Sequence, residues 1–445
     1  MGLDKKRSFA ITTFGCKVNQ YDAEAIIEQM AELGYRCVPW DETADVYIIN
    51  TCSVTGRSEA KCRQAIRQAK RRNPDALILV TGCYAQVSPG ELAMLTGVDA
   101  VIGITERDRF VEILKQAEQG MRHLPVYTAR PSRAAPFDVG ISRFTRRTRA
   151  FIKIQEGCDH FCSYCIVPYA RGASRSRPPE SVFSEIGRLL DAGFKEVVLA
   201  GVHVGMWGRD LGSDYNLGWL LRQVAQRFPG LARLRLSSIE PQEIDDQLID
   251  AFADVEVLCE HFHIPLQSGS DRILASMNRG YTREQFSRLI RAIRETKRGA
   301  AVSTDIIVGF PGETETDFQD SIEILRELEF SRLHVFRFSP RRGTPAATMR
   351  AQVPAAVRED RARSMLKLGR ELSQKFTRQH IGKQAELLVE QEKERGLLCG
   401  LTRDYLRVCF EGGDELKNSI VQVKVVKAYA DGAWGELVMG SSVNR

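Results

Sequence analysis

The chain has 445 residues, 43% hydrophobic and 27% charged, the make-up of a globular protein with two or three domains, each large enough for its own core. Its net charge of +6 is too mild to name a partner by itself. No apolar run reaches the length of a membrane span, and Met1 to Arg7 has no apolar stretch behind it, so neither a membrane anchor nor a secretion signal is expected. Eleven cysteines in such a chain are expected as reduced thiols in the cytoplasm.

The first 120 residues alternate strand and helix patterns. Strand-like runs are Phe9 to Phe14, Val46 to Asn50, Leu77 to Thr81 and Ala100 to Ile102, with helical patterns such as Asp22 to Leu33 and Ser58 to Arg72 between them. That alternation predicts a parallel sheet with crossover helices. Cys16, Cys52 and Cys83 each follow a strand closely, in Phe-Gly-Cys, Asn-Thr-Cys and Thr-Gly-Cys. All carboxyl ends of a parallel sheet lie on one edge, so the three thiols are expected to converge in one crevice. Gly15 and Gly82 would let the backbone approach closely there. The convergence points to an iron–sulfur cluster with three protein ligands. Cys37, Cys62, Cys259, Cys399 and Cys409 follow no such pattern and are expected as ordinary core or surface thiols.

Residues 121–150 are rich in Arg and carry Pro125, Pro131 and Pro136, the composition of a linker. The strand Phe151 to Ile154 then leads into Cys158, Cys162 and Cys165, a C-x3-C-x2-C spacing. Three soft thiolates so close can hold three irons of a cubane and leave the fourth open for a small molecule. A zinc knot with His160 as fourth ligand is the alternative, but six residues make it crowded. The loop resembles that of the radical S-adenosylmethionine enzymes, whose open iron chelates the amino and carboxylate groups of that cofactor.

Further strand patterns follow at Val197 to Gly201, Leu234 to Ser238, His261 to Leu266, Thr304 to Gly309 and Leu333 to Phe338, separated by helical ones. Together with Phe151 to Ile154 they predict an open (β/α)6 barrel. Its cofactor would sit at the carboxyl ends of the strands, where Gly201, Ser237, Glu240, His263, Gln267 and Asp305 are the candidate contacts. A long Arg-rich helix, Ala355 to Arg378, leads to short strands at Ala385 to Glu390, Tyr405 to Phe410, Ile420 to Ala428 and Gly435 to Met439, which predict a small β-barrel. From Ile381 onward nine Lys and Arg balance ten Asp and Glu, so this barrel is close to neutral.

Basic residues cluster elsewhere. One set is Lys61, Arg63, Arg67, Lys70, Arg71 and Arg72. A second runs from Arg130 through Arg133, Arg143, Arg146, Arg147 and Arg149 to Arg171, Arg175 and Arg177. A third is Arg332, Arg337, Arg341 and Arg342. Their placement around the cysteine loop suggests a polyanionic substrate.

The whole architecture resembles the methylthiotransferases. The strings that carry the likeness are Thr13-Phe14-Gly15-Cys16-Lys17-Val18-Asn19-Gln20, Asn50-Thr51-Cys52, Gly82-Cys83, Pro265-Leu266-Gln267-Ser268-Gly269-Ser270 and Gly309-Phe310-Pro311-Gly312-Glu313-Thr314. Cys-Lys-Val-Asn-Gln is similar to the branch acting on N6-threonylcarbamoyladenosine at position 37 of tRNA; the isopentenyladenosine branch usually reads Cys-Gln-Met-Asn. The resemblance implies an N-terminal methylthiotransferase domain over residues 1–120, a linker over 121–150, a radical S-adenosylmethionine barrel over 151–378 and a TRAM-like β-barrel over 379–445. It also implies two 4Fe-4S clusters, one on Cys158, Cys162 and Cys165 and an auxiliary one on Cys16, Cys52 and Cys83. Two molecules of S-adenosylmethionine would be used, one giving the 5′-deoxyadenosyl radical and the other the methyl group. Implied partners are a tRNA anticodon stem-loop, an electron donor of flavodoxin or ferredoxin type, and an unidentified sulfur source. Other substrates in view are isopentenyladenosine in tRNA and an aspartate of a small-subunit ribosomal protein. Outside the enzymes, a metal-containing RNA-binding protein would explain the basic clusters but not two open three-cysteine sets.

Overall fold

The computed structural model describes residues 7–120, 126–129, 131, 140–141, 148–391, 394 and 396–438. Most of the expected linker lies outside the described residues, with Arg130, Arg133, Arg143, Arg146 and Arg147 of the second basic cluster. Two compact units emerge. One holds residues up to 144, 153–185 and 339–347; the other holds 145–152, 186–338 and 348 onward.

The first unit begins with β1 (Ser8–Thr13), α1 (Lys17–Glu32), β2 (Arg36–Cys37), β3 (Val46–Thr51), α2 (Gly56–Arg72), β4 (Leu77–Gly82), α3 (Cys83–Val87), α4 (Pro89–Ala93), β5 (Ala100–Ile102) and α5 (Phe110–Glu118). Its strands are parallel in the order β2-β1-β3-β4-β5. Every residue of β3 is buried, as expected for a strand covered on both faces, which is why it reads as a continuous apolar run. Helix α2 buries Cys62, Ala65, Ile66 and Ala69 and turns most of its basic residues outward. Thr55 caps it by accepting from the Ser58 N–H, and Lys70, Arg71 and Arg72 complement the dipole of its last turn. The unit continues with the later part of β6 (Ala150–Glu156), then α6 (Val167–Arg171), β7 (Arg175–Ser176) and the start of α7 (Pro179–Asp191).

The second unit alternates β8 (Glu196–Gly201), α8 (Leu217–Arg227), β9 (Arg233–Leu236), α9 (Asp246–Asp254), β10 (His261–His263), α10 (Asp271–Ser276), α11 (Arg283–Thr296), β11 (Ala301–Val308), α12 (Glu315–Glu327) and β12 (Arg332–Arg337). Strands β8 and β9 pair in parallel, as do β10, β11 and β12, and single bridges at Leu234–Leu258 and Ser238–His263 continue the series. Helix α13 (Ala355–Arg378) runs as the sequence predicts. It leads to β13 (Gln384–Val389), β14 (Leu398–Thr402), β15 (Arg407–Phe410), β16 (Ile420–Tyr429) and β17 (Gly432–Leu437), a closed barrel in the order β13-β14-β15-β17-β16. The chain is thus an α/β protein with a parallel-sheet N-terminal domain, a central strand–helix alternation and a closed five-stranded C-terminal barrel.

Buried arginines tie that barrel to the strands before it. Arg233 donates to the carbonyls of Leu401 (2.8 Å) and Glu386 (2.9 Å), and Arg235 donates to Arg403 O (3.0 Å) and to the Glu196 carboxylate (2.8 Å). Tyr405 stacks on His261 with ring centroids 4.4 Å apart, and the Arg235 guanidinium covers the same phenol.

One expectation fails in this barrel. Cys399 and Cys409, expected as thiols, lie directly opposite each other on antiparallel β14 and β15, and form a disulfide with Cα atoms 4.1 Å apart. Strand β14 was not predicted, so nothing in the sequence brought the two residues face to face.

Candidate metal centre

The first cysteine set is built by three strand ends of one parallel sheet. Cys16 caps α1 after β1, Cys52 directly follows β3, and Cys83 opens α3 after β4. Gly15 and Gly82 sit at φ of +105° and +95°. A Cβ on Gly15 would lie 2.9 Å from the Cys52 sulfur, and one on Gly82 would lie 2.4 Å from Thr51 O. The glycines are therefore required for the loops to close on one another.

Asn19 joins all three loops from inside. It is buried; its amide donates to Phe14 O (2.7 Å) and Thr51 O (2.8 Å), and its backbone carbonyl accepts from Asn50 Nδ2 (2.6 Å). Its Oδ1 faces the Cys83 sulfur at 3.8 Å. Burial, with Cys83 nearby, pushes the Cys52 thiol up to about 12. Burial also raises Cys83, while Arg171 and then Cys16 act on it as charges of opposite effect. Three converging sulfur donors, two buried and one exposed, suit a soft-metal group, whose positive charge would favour thiolates there. The donors are all sulfur, and the glycines keep their loops close, so the residues fit an iron–sulfur cluster.

The second set lies in the same unit. Cys158 follows β6, and the loop is held by Cys158 N to Gly172 O (2.9 Å), Cys165 N to Cys162 O (2.9 Å) and Ala346 N to Ser163 O (2.8 Å). Gln155 donates to the carbonyls of Glu156 (3.0 Å) and Gly157 (2.8 Å) and to Ser174 Oγ (2.9 Å), so its amide pins the entry to the loop. The His160 N–H points at the Cys158 sulfur, 3.5 Å away. Phe161, at φ 44°, takes a left-handed turn between the first two cysteines. Three sulfur donors on a loop fixed from both ends fit a 4Fe-4S cluster with one open iron.

A buried ion cluster lies beside both sets, and sequence reasoning missed it. Lys153 donates to Asp22 (2.6 Å) and Glu156 (2.9 Å); Arg107 reaches Asp22 (2.6 Å). Arg171 donates to Glu156 (2.7 Å), Asp22 (3.2 Å) and the side-chain carbonyl of Asn19 (2.5 Å). Burial alone would raise both carboxyls. Arg107, Lys153 and Arg171 overcome it, leaving Asp22 below and Glu156 well below the usual carboxylate range. The available signal was Lys153 and Glu156, charges in and just after an apolar strand. The second basic cluster is corrected accordingly: Arg171 and Arg177 are buried, Arg177 against Glu185, and present no charge to solvent. Arg341 of the third pairs with Glu59 at 2.7 Å.

In the second unit, Gly201 and His263 end strands and Ser237, Glu240 and Gln267 follow them, but Asp305, expected at a strand end, lies within β11. Gly201 closes β8, and Ser237 follows β9 with its N–H on Leu199 O. Glu240 pairs with Arg279. Gln267 takes φ 66° and bridges to β11, its N–H on Asp305 O at 2.9 Å. His263 and Asp305 come together, Nε2 to Oδ1 at 3.1 Å, and His334 approaches the same oxygen at 3.1 Å. His334 was not predicted. Burial opposes ionisation of Asp305, yet the two histidines hold its carboxyl below the usual range. His263 Nδ1 lies 2.9 Å from Ser303 Oγ, which orients the ring. His203, given no role by the sequence, is buried against Glu243 at 2.6 Å.

Among the described residues no helix is long and apolar enough to cross a membrane. Residues 8–103 match the Uncharacterized protein family UPF0004, and residues 152–325 match the Radical SAM superfamily, which implies S-adenosylmethionine and a 4Fe-4S cluster as cofactors. The threonylcarbamoyladenosine tRNA methylthiotransferase MtaB of Bacillus subtilis is 41% identical, over 94% of each chain. Its counterpart in Thermotoga maritima is 39% identical, again over 94% of each. The tRNA-2-methylthio-N(6)-dimethylallyladenosine synthase of Aquifex aeolicus is 36% identical over 97% of this chain and 99% of its own. In fold, the radical S-adenosylmethionine methyltransferase TsrM of Kitasatospora setae matches 77% of each chain with a TM-score of 0.60 at 16% identity. With these relatives along nearly its whole length, the chain belongs to the radical S-adenosylmethionine tRNA methylthiotransferases and is an enzyme of that family.

Proposed function

We propose that this enzyme places a methylthio group on carbon 2 of N6-threonylcarbamoyladenosine at position 37 of tRNA, using two 4Fe-4S clusters and two molecules of S-adenosylmethionine. The observation that carries the reading is the meeting of Cys16, Cys52 and Cys83 at one sheet edge, in the unit that also holds Cys158, Cys162 and Cys165. The substrate reading is supported by Cys16-Lys17-Val18-Asn19-Gln20 and by the names of the two MtaB relatives. An aromatic C–H bond has no acidity that a side chain could exploit, so the bound clusters supply one-electron cleavage of S-adenosylmethionine and the sulfur chemistry.

The chain's own residues bind and orient. Cys158, Cys162 and Cys165 hold the cluster that takes S-adenosylmethionine, and Cys16, Cys52 and Cys83 hold the auxiliary one. Gly201, Ser237, Glu240, His263, Gln267 and Asp305 line the cofactor's side of the strands. Asp305, kept ionised between His263 and His334, is suited to accept a hydrogen bond from a hydroxyl. The exposed Lys61, Arg67 and Arg71 of α2 offer phosphate contacts to the anticodon stem-loop, with the terminal barrel as a second surface. A flavodoxin- or ferredoxin-like protein would deliver electrons, a separate donor would supply sulfur, and the setting would be the cytoplasm.

The test is an oxygen-free reconstitution with iron and sulfide counted per chain, followed by nucleoside analysis of stem-loops carrying each modified adenosine. About eight irons, falling to about four when Cys16, Cys52 and Cys83 become alanine, is the expected result. Product is expected only on the threonylcarbamoyl stem-loop. About four irons in the intact protein would remove the auxiliary cluster. Product on the isopentenyl stem-loop or on the ribosomal protein would reassign the substrate.

A further inference from the structure

Arg171 ends α6, the short helix that follows the Cys158–Cys165 loop, yet its side chain serves the other cysteine set. It is 1% exposed. Its guanidinium is clamped by Glu156 at 2.7 Å and Asp22 at 3.2 Å, and donates to Asn19 Oδ1 at 2.5 Å. That same oxygen faces the Cys83 sulfur at 3.8 Å, while the Asn19 amide holds the Phe14 and Thr51 carbonyls that precede Cys16 and Cys52.

The charge balance leaves this arginine something to do. Three cations, Arg107, Lys153 and Arg171, face two carboxylates, Asp22 and Glu156. Arg171 is the member of that group that reaches Asn19 Oδ1, the atom that faces the Cys83 sulfur. Guanidinium does not deprotonate in proteins, so the positive charge is permanent. Iron–sulfur potentials respond to net charge, to hydrogen bonds on the sulfurs and to exposure. A fixed cation in a dry site favours the reduced, more negative state of a neighbouring cluster.

Resting on the two-cluster reading above, we propose that Arg171 is a positioning residue of the auxiliary centre: delivered by the radical-cluster loop, it orders the Cys16, Cys52 and Cys83 loops through Asn19 and raises the reduction potential of the cluster they hold.

The experiment uses the full chain with Cys158, Cys162 and Cys165 replaced by alanine, so that only the auxiliary cluster remains. Iron content and the midpoint potential, followed by EPR, are compared for that parent and for Arg171→Met, Arg171→Lys and Glu156→Gln made in it. About four irons are expected in each. The midpoint should move to more negative potential in Arg171→Met, stay close to the parent in Arg171→Lys, and move to less negative potential in Glu156→Gln, where one negative charge is removed. An unchanged midpoint in Arg171→Met would overturn the proposal. So would an equal displacement in Arg171→Met and Arg171→Lys, or loss of iron from both, since either would make Arg171 part of the fold and not a charge acting on the cluster. A parent without iron would instead reject the two-cluster reading, and the arginine's role with it.

Discussion

Two of the ion clusters buried among the described residues differ in charge balance and in what their remaining donors meet. In the second unit Glu196 is fully buried against Arg233 (3.6 Å) and Arg235 (2.8 Å). The remaining guanidinium donors end on barrel carbonyls of Leu401, Glu386, Arg403 and Thr402, and on Glu386 itself. Two carboxylates match the two guanidiniums, backbone carbonyls satisfy the other donors, and the cluster joins the barrel to the strands before it. In the first unit three cations face Asp22 and Glu156, and Arg171 extends from them to Asn19 Oδ1, which faces the Cys83 sulfur. Both clusters are buried, but the one in the first unit places a guanidinium on an atom that faces a cysteine sulfur. The lesson is that a buried ion pair is informative through what satisfies its last donor, not through its existence.

The comparison breaks most visibly at the cysteines. Alanine at any of Cys16, Cys52, Cys83, Cys158, Cys162 or Cys165 is expected to abolish the methylthiolated nucleoside. Alanine at the first three is expected to spare 5′-deoxyadenosine formation, measured by chromatography; loss of both products would end the division of labour. Next come the anchoring carboxylates. Glu196→Ala and Glu156→Ala each leave buried cations uncompensated, at a cost of about 3–5 kcal/mol read from denaturant unfolding. Only Glu156→Ala should also alter the auxiliary cluster's spectrum, and a spectral change in Glu196→Ala would erase the distinction between the two sites.

Tyr405→Ala removes the ring that stacks on His261 and lies under Arg235 and Arg149, so a loss of about 2 kcal/mol is expected with full iron content. The smallest effect is a pH dependence in the second unit. His380, despite burial, is held above its usual value by its hydrogen bond to Asp404 (2.5 Å), and Asp404 is held below its own. The histidine's contribution is complete below about pH 6.5, its unfolded value, and is lost as pH rises through its raised folded value. The aspartate's contribution is complete above about pH 3.9 and is lost as pH falls through its lowered folded value. His380→Gln should flatten the alkaline side of the melting-temperature profile; an unaltered slope would show that the pair contributes nothing.

Much of the architecture was legible because its strands are parallel and covered on both faces. Runs such as Val46 to Asn50 and Leu77 to Thr81 therefore had no polar alternation to obscure them. Strand β14 escaped notice because Leu398 to Thr402 is short and interrupted by Gly400, where a Cβ would lie 2.1 Å from Leu388 O. A glycine demanded by a neighbouring strand looks, in one dimension, like a turn. The cysteine sets were legible because few residues can do soft-metal chemistry and their spacing is local or tied to strand ends. Asp22, Lys153, Glu156 and Arg171 were not, since a charge in one dimension reads as surface until its partners are known.

By itself, then, the sequence determined most of the order of elements and which cysteines form two spaced sets, because both follow from local patterning and from the chemistry of a single residue type. Tertiary structure alone decided which charges are buried and what they face. Arg171 lies 152 residues from Asn19, and His334 lies 29 from Asp305. Pairings over such distances arise from the packing of whole elements, and no periodicity along the chain encodes them.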